Sequence, residues 1–215
     1  MADEPAKESS SKASGESAKI NSNTDWDNYL RMFLAAVPPI SPESKNSAQQ
    51  AFNMVTAIAQ KVPGQVSDAV RMLLELLQEL TNIKGVEVQF QSWRVIDLRL
   101  HILKETDVPV NRDLAGIGKV EAVRLSKLIH AQAELGEGNR DLSLRIHEGL
   151  AVVLSFTLFS SSKQVIPLKG SAKLVRDEKG QLMVESSTNV PGTNMPLKVS
   201  FPLKQILDEI RKQVI

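Results

Sequence analysis

Apolar residues recur along this chain first at helical spacing and then at strand spacing. Trp26, Tyr29, Leu30, Phe33, Leu34 and Val37 fall at i, i+3, i+4, i+7, i+8 and i+11, behind the capping residues Thr24 and Asp25. That stripe predicts a helix with one apolar face, ended by Pro38-Pro39. Ser41-Pro42 opens a second helix, traced by Ala48, Ala51, Phe52, Val55, Ile58, Ala59 and Val62 and closed by Pro63-Gly64. Ser67 and Asp68 cap a third, with Val70, Leu73, Leu74, Leu77 and Leu80 inward and Gly85 at its end. Met72 and Leu76 widen this stripe, as in a helix flanked on more than one side or one that joins an interface.

From residue 86 the period falls to 2. Val86, Val88 and Phe90 alternate with polar residues, as do Ile96, Leu98, Leu100 and Ile102, with a turn or bulge expected near Ser92. A loop containing Pro109 follows, then a helix over about Lys119–Leu135, stopped by Gly136. Strands resume with Leu142, Leu144 and Ile146, and again from Leu150 to Leu158. Asp177-Glu178-Lys179-Gly180 reads as a hairpin turn. Leu197, Val199 and Phe201 form a last strand, and Leu203, Ile206, Leu207, Ile210 and Val214 a closing amphipathic helix. The expected fold is α+β, with N-terminal helices packed on a mostly antiparallel sheet. Residues 1–23 form a disordered arm, because Ser, Ala, Lys, Glu and Asn cannot recover their ordering entropy by burial. Residues 24–215 form one domain, helical over 24–85 and strand-rich over 86–215 apart from the helix near 119–135.

Composition narrows the chemistry. The 215 residues contain no cysteine, which removes thiolate metal sites, disulfides and a cysteine nucleophile together. His101, His130 and His147 show no metal-ligand spacing. If the strands that carry them pair, His101 and His147 become neighbours, which leaves room for a metal or pH-sensing role. Glu105 and Asp107 sit in a polar loop and Ser160–Ser162 in a turn, without the context of an acid–base pair or a nucleophile. No catalytic residue, cofactor or metal is therefore expected, and no small-molecule substrate. The net charge is only +1, yet from Lys163 onward nine Lys/Arg face five Asp/Glu. This makes the C-terminal third mildly basic. No apolar run approaches the roughly 18 residues of a membrane span, and the N-terminus has no secretory h-region. The expected location is cytoplasmic or nuclear in a host cell, and the virion if the protein is viral.

Two local patterns suggest partners. Leu114-Ala115-Gly116-Ile117-Gly118-Lys119-Val120-Glu121-Ala122-Val123-Arg124-Leu125 resembles the turn of the helix-hairpin-helix DNA-binding family. There Gly116 and Gly118 would let a phosphate approach a helix N-terminus, with Lys119 and Arg124 adding charge. Pro38 and Pro39, near Trp26, offer a short polyproline segment to a partner's aromatic groove. Ile146-His147-Glu148-Gly149-Leu150-Ala151-Val152-Val153-Leu154-Ser155-Phe156-Thr157-Leu158 is similar to the glycine-then-alternating strand of rhabdovirus-like matrix proteins. That resemblance implies a structural virion protein with a flexible N-terminal arm, which self-associates and bridges nucleocapsid and membrane. Its partners would be copies of itself, a ribonucleoprotein and an anionic membrane surface. The alternative function is a nucleic-acid-binding module built on the Gly116–Gly118 turn.

Overall fold

The computed structural model describes Met32 and residues 47–61, 66–92, 94–114, 116–157, 163–190, 192–194 and 196–213. The expected arm, the Trp26 helix and Pro38-Pro39 lie outside these residues. Among the elements with described bounds, two helices come first, α1 (Ser47–Lys61) and α2 (Asp68–Thr81), and α3 (Leu203–Gln213) comes last. Between them run β1 (Val86–Phe90), β2 (Val95–His101), β3 (Thr106–Asp113), β4 (Gly118–Leu135), β5 (Leu142–Phe156), β6 (Lys163–Pro167), β7 (Gly170–Arg176), β8 (Leu182–Asn189) and β9 (Pro196–Pro202). All pair antiparallel in one nine-stranded sheet, so the α+β class with helices on an antiparallel sheet holds.

Two long strands organise the sheet. β4 has 18 residues and β5 has 15. The C-terminal part of β4 pairs with β2 and its N-terminal part with β3. β5 likewise pairs with β7 through residues 142–146 and with β6 through residues 151–155. β2 and β3 thus lie end to end on one flank, β6 and β7 on the other. Single hydrogen bonds carry the ladder across each gap, from Ile102 N–H to Lys127 O and from Leu168 N–H to Leu150 O, both 2.8 Å. At this level the β4–β5 register slips between Leu125 and His130, and Gly149 turns to φ +94°. A long antiparallel pair bends where an extra residue is inserted, and this slip is such a place.

The sequence placed a helix over residues 119–135, and the structure has a strand there. Lys, Glu, Ala, Leu and Arg favour a helix when nothing else decides. Here partners on both sides decide: Val123 stands opposite Val108 of β3 and Val152 of β5, and Ala133 opposite Ile96 of β2 and Leu144 of β5. Two further expectations change for the same reason. The Pro109 loop is part of β3, at an outer strand where a missing N–H costs little. The two strands expected over 142–146 and 150–158 are one strand bent at Gly149.

One sheet face takes the helices. Val88, Leu98, Ala131 and Ile146 make one row across the strands, and Ile96, Ala133, Leu144 and Ala172 the next. α1 packs on β1 and α2, α2 lies over β4 and β5, and α3 over β8 beside α2. Leu77 of α2 and Phe201 of β9 are among the most buried side chains, each stabilising by roughly 1.5–3 kcal/mol. Ser67 caps α2 as its position predicts, accepting from Val70 N–H. Arg211 of α3 donates to the Glu79 carbonyl of α2 at 3.0 Å and pairs with its carboxylate, which ties the two helices together. Ser47 guards the sheet edge: its hydroxyl donates to Val86 O at 2.8 Å and accepts from Val88 N–H at 3.0 Å, occupying backbone groups a further strand would use.

Candidate functional site

Leu114 and residues 116–118 lie in the turn between β3 and β4. Leu114 N–H donates to Gly118 O at 2.8 Å and Ile117 N–H to Leu114 O at 2.9 Å. Gly116 has φ +82°, which a tight turn demands of it. A side chain on Gly118 would lie 2.4 Å from the Ser155 carbonyl oxygen, so this glycine admits β5. Both glycines therefore have structural work. Because the turn opens a strand, no helix N-terminus stands behind it to receive a phosphate.

The two cations of that motif stand five residues apart on β4, and Arg124 is engaged by an acid. Lys119 stands between Asp113 of β3 and Ser155 of β5. Arg124 donates from Nε and Nη2 to the Asp107 carboxylate at 2.7 and 2.9 Å, a bidentate pair. The hydrogen bond from Arg124 lowers the Asp107 pKa below the ordinary 3.8, and the same bond raises that of Arg124. Because the folded pKa of Asp107 is depressed, its contribution is complete above the unfolded value and disappears as pH falls through the lowered one. Both side chains are more than one third exposed, so the contribution is under about 1 kcal/mol after solvent screening. Urea titrations of wild type and Asp107→Asn should differ by that small amount at pH 7 and converge below the folded pKa. A gap that widens on acidification would refute the pairing.

The strands that carry His101 and His147 do not pair with each other, since β4 lies between them, and the histidines meet differently. His130 of β4 and His147 of β5 stack with ring centroids 4.5 Å apart, and His101 lies opposite Leu128. His130 Nε2 is 2.7 Å from Asp97 Oδ1, and Arg99 Nε is 3.2 Å from Asp97 Oδ2. Asp97 is only 2% exposed. An ionised carboxylate only accepts, so a charged Asp97 requires His130 Nε2 to carry the hydrogen. The arrangement fixes β2 to β4 and orders the His130 ring against His147. Among the described residues no group of three or more His, Asp or Glu is placed to hold a metal ion. Glu105 and Asp107 do not act as a pair, since Asp107 is committed to Arg124. Asp97 was missed by the sequence reading, and nothing in the sequence marked it: with Arg99 and His101 it occupies the polar positions of an alternating strand, and its burial depends on neighbours that the strand alone does not reveal.

The basic C-terminal third is largely answered by acids. Lys163 pairs with Glu121 at 2.6 Å, Arg176 with Glu75 at 2.9 Å, Lys198 with Glu185 at 2.9 Å and Lys212 with Glu209 at 2.9 Å. The Lys163 ammonium also pulls the Glu121 pKa down. Lys169, Lys173, Lys179 and Lys204 make no such pair among the described residues, and the first three follow β7 to its hairpin. No helix of the described residues is long and apolar enough to cross a membrane. Trp26, Pro38 and Pro39, the expected partner-binding residues, lie outside the described part. No family model, curated protein or solved structure matches the chain.

Proposed function

We propose that this chain is a non-enzymatic structural protein of the viral matrix type, which self-associates and bridges a nucleocapsid and a membrane surface. The observation that carries this reading is the sheet face turned away from the helices. Arg99, Arg145, Lys173, Ser187 and Lys198 stand exposed on that face, one on each of β2, β5, β7, β8 and β9. Such a face is a broad, shallow platform suited to a macromolecular surface. The strand edges favour contact through faces over strand addition. Ser47 occupies β1, Pro109 and a register shift interrupt β3, Pro167 ends the short β6, and Pro196, Lys198 and Pro202 punctuate β9.

On this reading each contact is weak and a lattice sums many of them. Lys169, Lys173 and Lys179 meet phosphates of lipid or ribonucleoprotein, and residues 1–23 engage a neighbouring subunit. Light scattering at high protein concentration should show assemblies at low salt that shrink as salt rises and are lost on deleting residues 1–23. Sedimentation with phosphatidylserine vesicles should fall several-fold in the Lys169→Glu/Lys173→Glu/Lys179→Glu variant. A protein that stays strictly monomeric at low salt and leaves those vesicles bare would end the proposal.

A further inference from the structure

The space between the helices and the sheet holds a recess that goes beyond this reading and does not depend on it. Leu98, Ala131 and Ile146 form its floor, and Leu80 of α2 with Leu207 and Ile210 of α3 its roof. Its origin is legible in the floor. Ala131 lies between Leu98 and Ile146, and the row ends at Gly170, so small residues stand where the helices do not reach down. Leu98 and Ala131 stay half-buried although they point toward the helix layer.

The recess has a volume of about 90 Å³ and opens on one side to solvent, and its exposed wall is entirely carbon. A water molecule there finds no hydrogen-bonding partner, and a sugar, nucleotide or peptide backbone would lose its own. An apolar cavity of about 150 Å³ stays dry and admits benzene. The recess here is smaller and open on one side, so it takes the last few methylenes of a chain more readily than a ring, with the rest of the chain in the mouth. The lining is drawn from β1 on one side to β9 on the other, across strands spaced about 4.8 Å apart. A recess lined across several strands suits an extended chain.

We propose that this recess binds one unbranched hydrocarbon chain, supplied by a free fatty alcohol or acid or by a membrane lipid, with the polar head at the mouth. The test uses the full chain and neutral 1-decanol, so that charge plays no part and failure leaves the salt-dependent assembly untouched. At about 100 times its Kd, decanol should raise Tm by about 5 °C and shift the methyl resonances of Leu98, Leu207 and Ile210 in saturable fashion. Ala131→Phe fills the floor and should abolish both responses; Ala131→Leu, a milder filling, should weaken binding at least tenfold. Phosphatidylcholine vesicles that reproduce the methyl shifts assign the chain to a membrane lipid, and vesicles that leave them unchanged assign it to a free amphiphile. Unchanged wild-type resonances, equal responses in Ala131→Leu, or tighter binding of benzene than of decanol would each overturn the proposal.

Discussion

Gly149→Ala should be among the most damaging single substitutions in this protein, lowering stability by about 4 kcal/mol and Tm by about 10 °C. Two independent costs meet at this residue. Its φ of +94° lies where L side chains are strained. A methyl there would also stand 2.2 Å from the Leu128 carbonyl oxygen and 2.5 Å from the Ile129 Cα. Both atoms are backbone of β4, so no rotamer change relieves the clash. β5 would have to move off β4 at the level where β2 passes to β3 and β6 to β7, and four strand pairings would loosen together. Gly180 provides the control. Its φ is +76°, and nothing lies within 4 Å of its would-be side chain, so Gly180→Ala bears the backbone cost alone, about 1–2 kcal/mol. Equilibrium urea unfolding of both variants separates the terms. Equal losses would mean that the close approach of β5 to β4 contributes nothing.

The same bend explains where the sequence was readable and where it misled. α2 was legible because Ser67, Asp68 and a leucine stripe give start, period and face together, and α3 because Leu203, Ile206, Leu207 and Ile210 repeat at helical spacing. β1 and β9 alternate without interruption, and β2 does so from Ile96 onward. β4 does not. Its inward residues are Val120, Val123, Leu125, Ile129, Ala131, Ala133 and Leu135, and the register slips place Val120 three residues before Val123 and Leu125 four before Ile129. Those two intervals are helical ones, and the alanines that follow are too small to restore an obvious alternation. The error reached the candidate site as well. With residues 119–135 read as a helix, His130 has no strand register and cannot meet Asp97 or His147. Gly116 and Gly118 then look like a phosphate turn when they in fact serve a hairpin. The free face of the sheet was half legible: alternation announced polar outward residues, but which acids would answer the C-terminal lysines and arginines depended on contacts such as Glu75–Arg176, a hundred and one residues apart.

His130→Ala should cost about 3 kcal/mol, more than its partly exposed position suggests, because of what it leaves behind. Asp97 is buried and, among the described residues, keeps Arg99 alone, whose own side chain is half in water, so a carboxylate loses the donor that approached at 2.7 Å without gaining solvent. Removing the carboxylate's charge first should soften the loss. Asp97→Asn keeps the shape and an acceptor toward His130, so on its own it should cost about 1 kcal/mol, the worth of a weakened hydrogen bond. In the Asp97→Asn background His130→Ala no longer strands a charge, and the double variant should be more stable than the two single losses added together, by about 1–2 kcal/mol. His147→Ala provides the comparison within the stack. It removes a ring contact from an exposed histidine and leaves the Asp97 bond in place, so its effect should stay under about 1 kcal/mol. Strict additivity in the Asp97–His130 cycle would mean that the two side chains merely adjoin. A coupling of the expected size would make this pair the polar lock that holds β2 on β4, with the apolar rows alone fixing the rest of the sheet.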